Sequence, residues 1–330
     1  MQIDLEGKDV SSDPVMEKVI EAKAKIKELQ REVKALKKDR EQLYEEYIDF
    51  QKARDIPVCK NTKVSGKAHK ARISVGDLHG MRMDSAAVQA FLLDVKTLAP
   101  DEIVLGGDMI DCGGWLAKHQ PIGFVAETDY SYQEDIQATN WFLDELQAAA
   151  PEAVIHYLEG NHENRVERWC VDQTQAHKRD ADFLKSAFSP AALLHLADRK
   201  IKYYERSEIY GEGLPRGWVK LGKMYFTHEL GKSKNAARDA ALRTAGNVTY
   251  FHTHREDSAT VVFPSVGVIK AFCPGCLCQM QPLWKHSEPT NWSQGYSIDF
   301  IGEDDTFQRV QVPIWRGKSL AQSMIQRLQS

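Results

Sequence analysis

Three short apolar runs in this chain each stop at a glycine followed by polar side chains, and this constrains the fold more than any other feature. Arg72–Val75 runs into Gly76-Asp77-Leu78-His79-Gly80, and Ile103–Leu105 into Gly106-Gly107-Asp108-Met109-Ile110-Asp111. Val154–Leu158 runs into Glu159-Gly160-Asn161-His162-Glu163. Between these runs, Asp84–Leu98 and Ser131–Ala149 have helical spacing. Strands alternating with helices predict an α/β sheet with parallel pairing. In open sheets of this kind, ligands bind just beyond the carboxyl ends of the strands. Glycines there let the backbone turn tightly. The pattern therefore predicts that Asp, His, Asp, Asn and His side chains reach one sheet edge.

The later part of the chain is richer in strands. Lys223–Thr227, Val248–His252, Ala259–Phe263, Val266–Phe272, Tyr296–Ile301 and Phe307–Val312 are the candidates. Two of these runs deliver imidazoles, His228 after one and His252 with His254 after the other. In an extended His-x-His, side chains two apart share a face, so both could reach one site. Together Asp77, His79, Asp108, Asn161, His228, His252 and His254 offer nitrogen and oxygen donors. That set is too large for one tetrahedral ion and suits two borderline metal ions sharing a bridging carboxylate. Such a pair can clamp a phosphoryl group and deprotonate a water at neutral pH.

The ordered set GDLHG, GGDMID, GNHE, a single His and then HTH resembles the calcineurin-like metallophosphoesterases, over about residues 72–256. The resemblance implies an α/β protein with a four-layer α/β/β/α sandwich and a dinuclear site. By position, Asp77, His79 and His254 would hold one metal, and Asn161, His228 and His252 the other. Asp108 would bridge them, and a bridging hydroxide would attack phosphorus in line. His162 would be the proton donor or charge stabiliser. Asp111 resembles the acid that pairs with this histidine in the Ser/Thr phosphatase branch, the alternative being a loop-capping carboxylate. The ions implied are divalent, manganese first, with iron or zinc as alternatives.

Departures from the family pattern bear on substrate. Cys112 and Gly113 follow Asp111 where the Ser/Thr phosphatase branch has Arg-Gly. The terminal His-x-His is closer to the phosphodiesterase and nuclease branches, which usually read GNHD rather than GNHE. Glu159–Trp169 resembles phosphoesterases encoded by bacteriophages. A phosphodiester substrate, nucleotide or nucleic acid, is therefore the first expectation. A phosphomonoesterase such as a Ser/Thr protein phosphatase is the second, and a coiled-coil scaffold with an idle phosphoesterase domain the third. Arg255 and Arg165 are candidates to grip a phosphate oxygen through a guanidinium fork, the alternative being structural salt bridges.

Residues 1–56 differ in kind from the rest. From Pro14 onward Lys, Glu, Gln and Arg dominate, and apolar residues recur in steps of four and three. Val19, Ile26 and Val33 take heptad position a, and Leu29, Leu36 and Leu43 take d, with Arg40 at one polar a position. β-branched residues at a with Leu at d favour a parallel two-stranded coil. This predicts a coiled-coil helix and a homo-oligomer, the alternative being a helix folded back on its own catalytic domain. Residues 57–70 read as a basic linker carrying Lys60, Lys63, Lys67 and Lys70, and residues 71–330 as the catalytic domain.

Composition sets outer bounds. In 330 residues, 42% are hydrophobic and 27% charged, as expected of a globular protein. A net charge of -4 gives no global basic field for nucleic acid. No apolar run is long enough for a membrane span, so no membrane partner is expected. The acidic residues near the start argue against a signal peptide, and the six cysteines read as reduced thiols. The expectation is a cytoplasmic protein, in a host cytoplasm if phage-encoded. Cys273-Pro274-Gly275-Cys276-Leu277-Cys278 reads as a turn, with a thiolate metal site or a redox pair as alternatives. Aromatics such as Trp115, Trp284 and Trp292 are expected in loops, where they could stack on bases or simply fill the core. A closing helix is expected over Lys318–Leu328.

Overall fold

The computed structural model describes residues 14–53, 69–117, 130–282, 289–321 and 323. Most of the expected linker and closing helix, Trp284, and the middle of the Gly113–Tyr130 loop lie outside them. The chain divides into two units, Met1–Ser65 and Gly66–Ser330.

The described residues of the first unit form a helix, α1 (Pro14–Ala53), of 40 residues. At 1.5 Å per residue it is about 60 Å long. Its heptad seam is exposed: Ile26 is 55% accessible, Leu36 67% and Leu43 65%.

The second unit holds two sheets. The six-stranded sheet has the order β11-β10-β1-β2-β3-β4. Its strands are β1 (Lys70–Val75), β2 (Glu102–Leu105), β3 (Val154–Leu158), β4 (Lys202–Tyr204), β10 (Gly295–Ile301) and β11 (Phe307–Pro313). β1 to β4 pair in parallel, as the strand–helix alternation predicts. β10 and β11 add an antiparallel edge. The five-stranded sheet has the order β5-β6-β7-β9-β8. It comprises β5 (Val219–Leu221), β6 (Met224–Thr227), β7 (Asn247–Tyr250), β8 (Glu256–Phe263) and β9 (Gly267–Pro274).

Side-chain alternation along each strand builds the layers. Ile103 and Leu105 of β2 face one core, and Val104 between them faces another. The first core lies under α2 (Ser85–Leu98) and α3 (Tyr132–Ala149), through Val88, Phe91, Val95, Phe142 and Leu146. The second lies between the sheets, where Val104 and Leu158 meet Met224, Phe226 and Phe272. A third packs Ala236, Ala237, Ala240 and Ala241 of α7 (Ala236–Thr244) onto Val248, Tyr250, Ile269 and Ala271. The result is the expected four-layer α/β/β/α sandwich. Between β3 and β4 lie α4 (Asn164–Gln173), α5 (Lys178–Phe188) and the short α6 (Pro190–Leu193).

Both long helices of the first layer start where the sequence places a cap. Asp84 accepts from the amides of Ala86 and Ala87, and Ser131 accepts from that of Glu134. Among the described residues no helix is long and apolar enough to cross a membrane.

Candidate metal centre

The site forms where β1, β2, β3, β6 and β7 end. The first two loops are tied together by backbone hydrogen bonds. The Asp77 amide donates to Gly107 O at 3.0 Å, and the His79 amide to Asp108 O at 2.9 Å. Asp77, His79, Asp108, His252 and His254 all have positive φ, between 50° and 72°. A non-glycine residue there costs about 1–3 kcal/mol. At these five positions the backbone aims donor side chains rather than relaxing.

Among the described residues four groups of donor atoms result: His79 with His254 and Cys278, His79 with Asp111 and His162, and two that share Asp108. Asp77, His79, Asp108 and His254 converge within 4.8 Å of one another, and so do Asp108, His228 and His252. Asp108 belongs to both. His254 Nε2 lies 3.3 Å from Asp77 Oδ1 and 3.1 Å from His79 Nε2. His228 Nε2 lies 3.2 Å from Asp108 Oδ2 and 3.1 Å from Asn161 Oδ1, which brings Asn161 to the second group.

The pairing of His252 and His254 does not arise as the alternation argument predicts. β7 ends at Tyr250, and both histidines sit in left-handed backbone beyond it. They diverge to different groups, His254 to Asp77 and His79, and His252 to Asp108 and His228.

The far nitrogen of three of these imidazoles has its own partner. His79 Nδ1 meets Asp111 Oδ1 at 3.0 Å, His228 Nδ1 meets Gly106 O at 2.8 Å, and His254 Nδ1 meets Cys278 Sγ at 3.6 Å. Such contacts protonate Nδ1 and turn the Nε2 lone pair inward, as metal-ligating histidines require. His252 Nδ1 is buried with no hydrogen-bond partner, and Asp77 Oδ1 is buried with His254 Nε2 beside it at 3.3 Å. Buried lone pairs left so inside a nitrogen–oxygen cluster fit divalent cations.

Electrostatics agree for the metal-free chain. Burial would raise the pKa of Asp108, but the charges of His162 and His228 hold it well below the usual carboxylate range. Burial opposes the His228 imidazolium, yet Asp108 outweighs it and lifts the pKa to about 9. His252 goes the other way, to about 4, through burial and the charge of His228. The acidic groups thus stay ionised and available to a cation.

His162, Asp111 and Arg165 form a connected set. His162 donates its backbone amide to Asp108 Oδ1 at 2.9 Å, and its Nδ1 lies 2.5 Å from Asp111 O. The Asp111 carboxylate is 3.4 Å from His162 and closer, at 3.0 Å, to His79. The expected Asp111–His162 pair is therefore shared with His79, and His162 docks mainly on the Asp111 backbone. Arg165 is buried and donates to Asp111 O, Cys112 O and His162 Nε2. Its guanidinium braces the loop rather than facing a phosphate. Arg255 pairs with Asp257 at 3.3 Å and donates to Ser233 O. Arg255 thus makes a salt bridge, and Arg165 holds backbone carbonyls instead of a carboxylate.

Two acidic residues escaped the sequence reading of the site. Glu163 accepts from the amides of Asp108, Met109 and Gly160 and from the Tyr157 hydroxyl, at 2.7–3.0 Å. Burial and the charge of Asp108 push its pKa up to about 7. Asp135, at the start of α3, accepts from the amides of Met81, Asp111 and Cys112 and from the Tyr130 hydroxyl. Gly80 has φ +44, and a Cβ there would lie 1.8 Å from Asp135 Oδ1. The Glu of GNHE was the available signal for Glu163. Asp135 sits in an ordinary first helical turn and gave none.

No family model matches the chain, and no curated protein does. Among solved structures, it is similar to a Vps29 single mutant from Entamoeba histolytica at 12% identity and a TM-score of 0.36. That match covers 76% of this chain and 95% of the other. YfcE, a phosphoesterase from E. coli, matches at 17% identity and a TM-score of 0.32, covering 73% of this chain and 98% of that one. TT1561 of Thermus thermophilus matches at 11% identity and a TM-score of 0.31, covering 73% and 98%. At these TM-scores the matches carry no argument about activity.

Proposed function

We infer that this chain is a metal-dependent phosphoester hydrolase with a dinuclear centre. The observation that carries this reading is that Asp108 belongs to two donor groups. Asp77, His79 and His254 would hold one ion, Asn161, His228 and His252 the other, and Asp108 both. Divalent ions there, manganese first with iron or zinc as alternatives, would supply Lewis-acid charge and make water a nucleophile at neutral pH.

The protein's own residues would do the rest. His162, fixed by Asp111 and Arg165, lies 3.7 Å from Asp108 Oδ2 through its Nε2. It is the group placed to stabilise a leaving oxygen, and to protonate it once Nε2 is released by Arg165 and takes up a proton. Asp111 would hold His79 and His162 in register.

A phosphodiester, in a nucleotide or nucleic acid, is the favoured substrate. A monoester dianion asks for more positive charge than a diester monoanion. Here the arginines nearest the site are engaged by protein, and Cys112-Gly113 stands where the phosphatase branch has Arg-Gly. The exposed seam of α1 supports self-association into a parallel coil.

Manganese-dependent hydrolysis of bis-p-nitrophenyl phosphate against p-nitrophenyl phosphate tests the reading. Faster diester turnover is expected. Faster monoester turnover would move the protein to the phosphatase class, and silence on both would favour the scaffold reading.

A further inference from the structure

The thiols of Cys276 and Cys278 are absorbed by neither the fold argument nor the proposed hydrolysis. Both are buried, at 0% and 3% exposure. The segment carrying them is pinned on two sides. Leu277 donates its amide to Asp77 O at 3.2 Å and accepts from the Asp84 amide at 2.9 Å. Gln294 donates to Cys278 O at 3.0 Å, and the Cys276 amide donates to Ser293 O at 3.0 Å. The two sulfurs are therefore fixed relative to Asp77.

A closed chain of donors runs through them. His254 Nδ1 lies 3.6 Å from Cys278 Sγ. The Cys276 and Cys278 side chains interact with each other. Cys276 Sγ donates to Ser293 O at 3.5 Å, and the Ser293 amide returns to His254 O at 2.8 Å. Each sulfur in this chain can accept one hydrogen bond and donate another.

We propose that Cys278 is a positioning residue for His254: its sulfur accepts the hydrogen bond from Nδ1–H, Cys276 completes the relay, and Nε2 is held toward Asp77 and His79. The proposal rests on reading those three residues as a metal site. The second partners of the site's imidazoles then differ in kind. His79 leans on a carboxylate, His228 on a carbonyl and His254 on a thiol. Sulfur is the weakest acceptor of the three. The group of Asp77, His79 and His254 alone depends on Cys278. The second group of Asp108, His228 and His252 does not.

Calorimetric titration of the metal-stripped full chain with Mn²⁺ tests this. Wild type should show two binding steps. Cys278→Val, which keeps the volume and removes the acceptor, should weaken one step by about 10- to 100-fold and spare the other, the usual cost of losing an outer partner of a metal ligand. Cys276→Val should weaken the same step less. Unchanged steps in Cys278→Val, or equal weakening of both, would overturn the proposal while leaving the metal site standing. A wild-type chain that binds no ion would overturn the site reading itself. Cobalt loading of wild type gives a check that needs no variant. Absence of a near-ultraviolet sulfur-to-cobalt charge-transfer band is expected, and its presence would make Cys278 a direct ligand and overturn the positioning role.

Discussion

His79 and His254 face each other through their Nε2 atoms, 3.1 Å apart. His79 gives its Nδ1 to Asp111, and His254 gives its Nδ1 to Cys278. With both far nitrogens protonated, the two neutral rings point lone pairs at one another. In the metal-free chain a proton on His254 can fill that gap. Burial opposes the charged form, but Asp77 outweighs it and raises the pKa of His254. A divalent cation would displace this proton and satisfy Asp77 Oδ1 as well.

Asp108 is the residue whose loss should affect both ions. Asp108→Ala is expected to lower metal content at both positions and reduce diester hydrolysis to background. Elemental analysis alongside the hydrolysis assay checks this. A variant that keeps full turnover would refute the site assignment.

Glu163 organises the loops and is given no contact with substrate. In Glu163→Gln, a side-chain NH₂ would face amides that need an acceptor. Leaving a buried donor unsatisfied costs about 1–3 kcal/mol. Denaturant unfolding should show a loss of that order, with metal content retained under native conditions. Unchanged stability would show that the four hydrogen bonds on Glu163 contribute little.

The pH dependence of the chelated protein follows from His228. Its pKa is raised from 6.5 to about 9 in the fold. A raised histidine pKa contributes stability that is fully present below 6.5 and is lost as pH rises through about 9. Melting temperature in chelator should fall across that window. His228→Asn should flatten the fall, and saturating metal should suppress it, because the ion takes the place of the proton. A melting temperature that rises across the window in the chelated wild type would contradict the assignment.

The seam of α1 makes a separate claim. Leu29→Asp with Leu36→Asp places charge at two successive d positions. The doubly substituted chain is expected to be monomeric by light scattering, with hydrolysis per chain unchanged. An unchanged oligomeric mass would exclude the coil.

The parts of the fold that were legible in sequence share one property. At β1, β2 and β3 an apolar run ends in glycine and donor side chains, so period and chemistry coincide. β4 and β5 are three residues each, too short to show a period. α4 spans ten residues with a short apolar face of Val166, Trp169 and Cys170, and α7 buries alanines, so neither presents a long apolar stripe. The left-handed backbone at His252 and His254 was unreadable because histidine carries no turn signature. Their separation into two groups was nevertheless implied by the family resemblance, where periodicity would have sent them together. Glu163 and Asp135 serve backbone amides, and a carboxylate that does so looks like any other in sequence. The carbonyls that Arg165 meets and the carboxylate that Arg255 meets are likewise invisible in sequence, because nearness to the motifs does not specify them.

A dinuclear centre here requires that one carboxylate, Asp108, be shared by two ions. Electron paramagnetic resonance of the manganese-loaded protein tests it most directly. A spin-coupled manganese pair that disappears in Asp108→Ala is the result expected. A spectrum of magnetically isolated Mn²⁺ at full loading of the wild type would contradict the account.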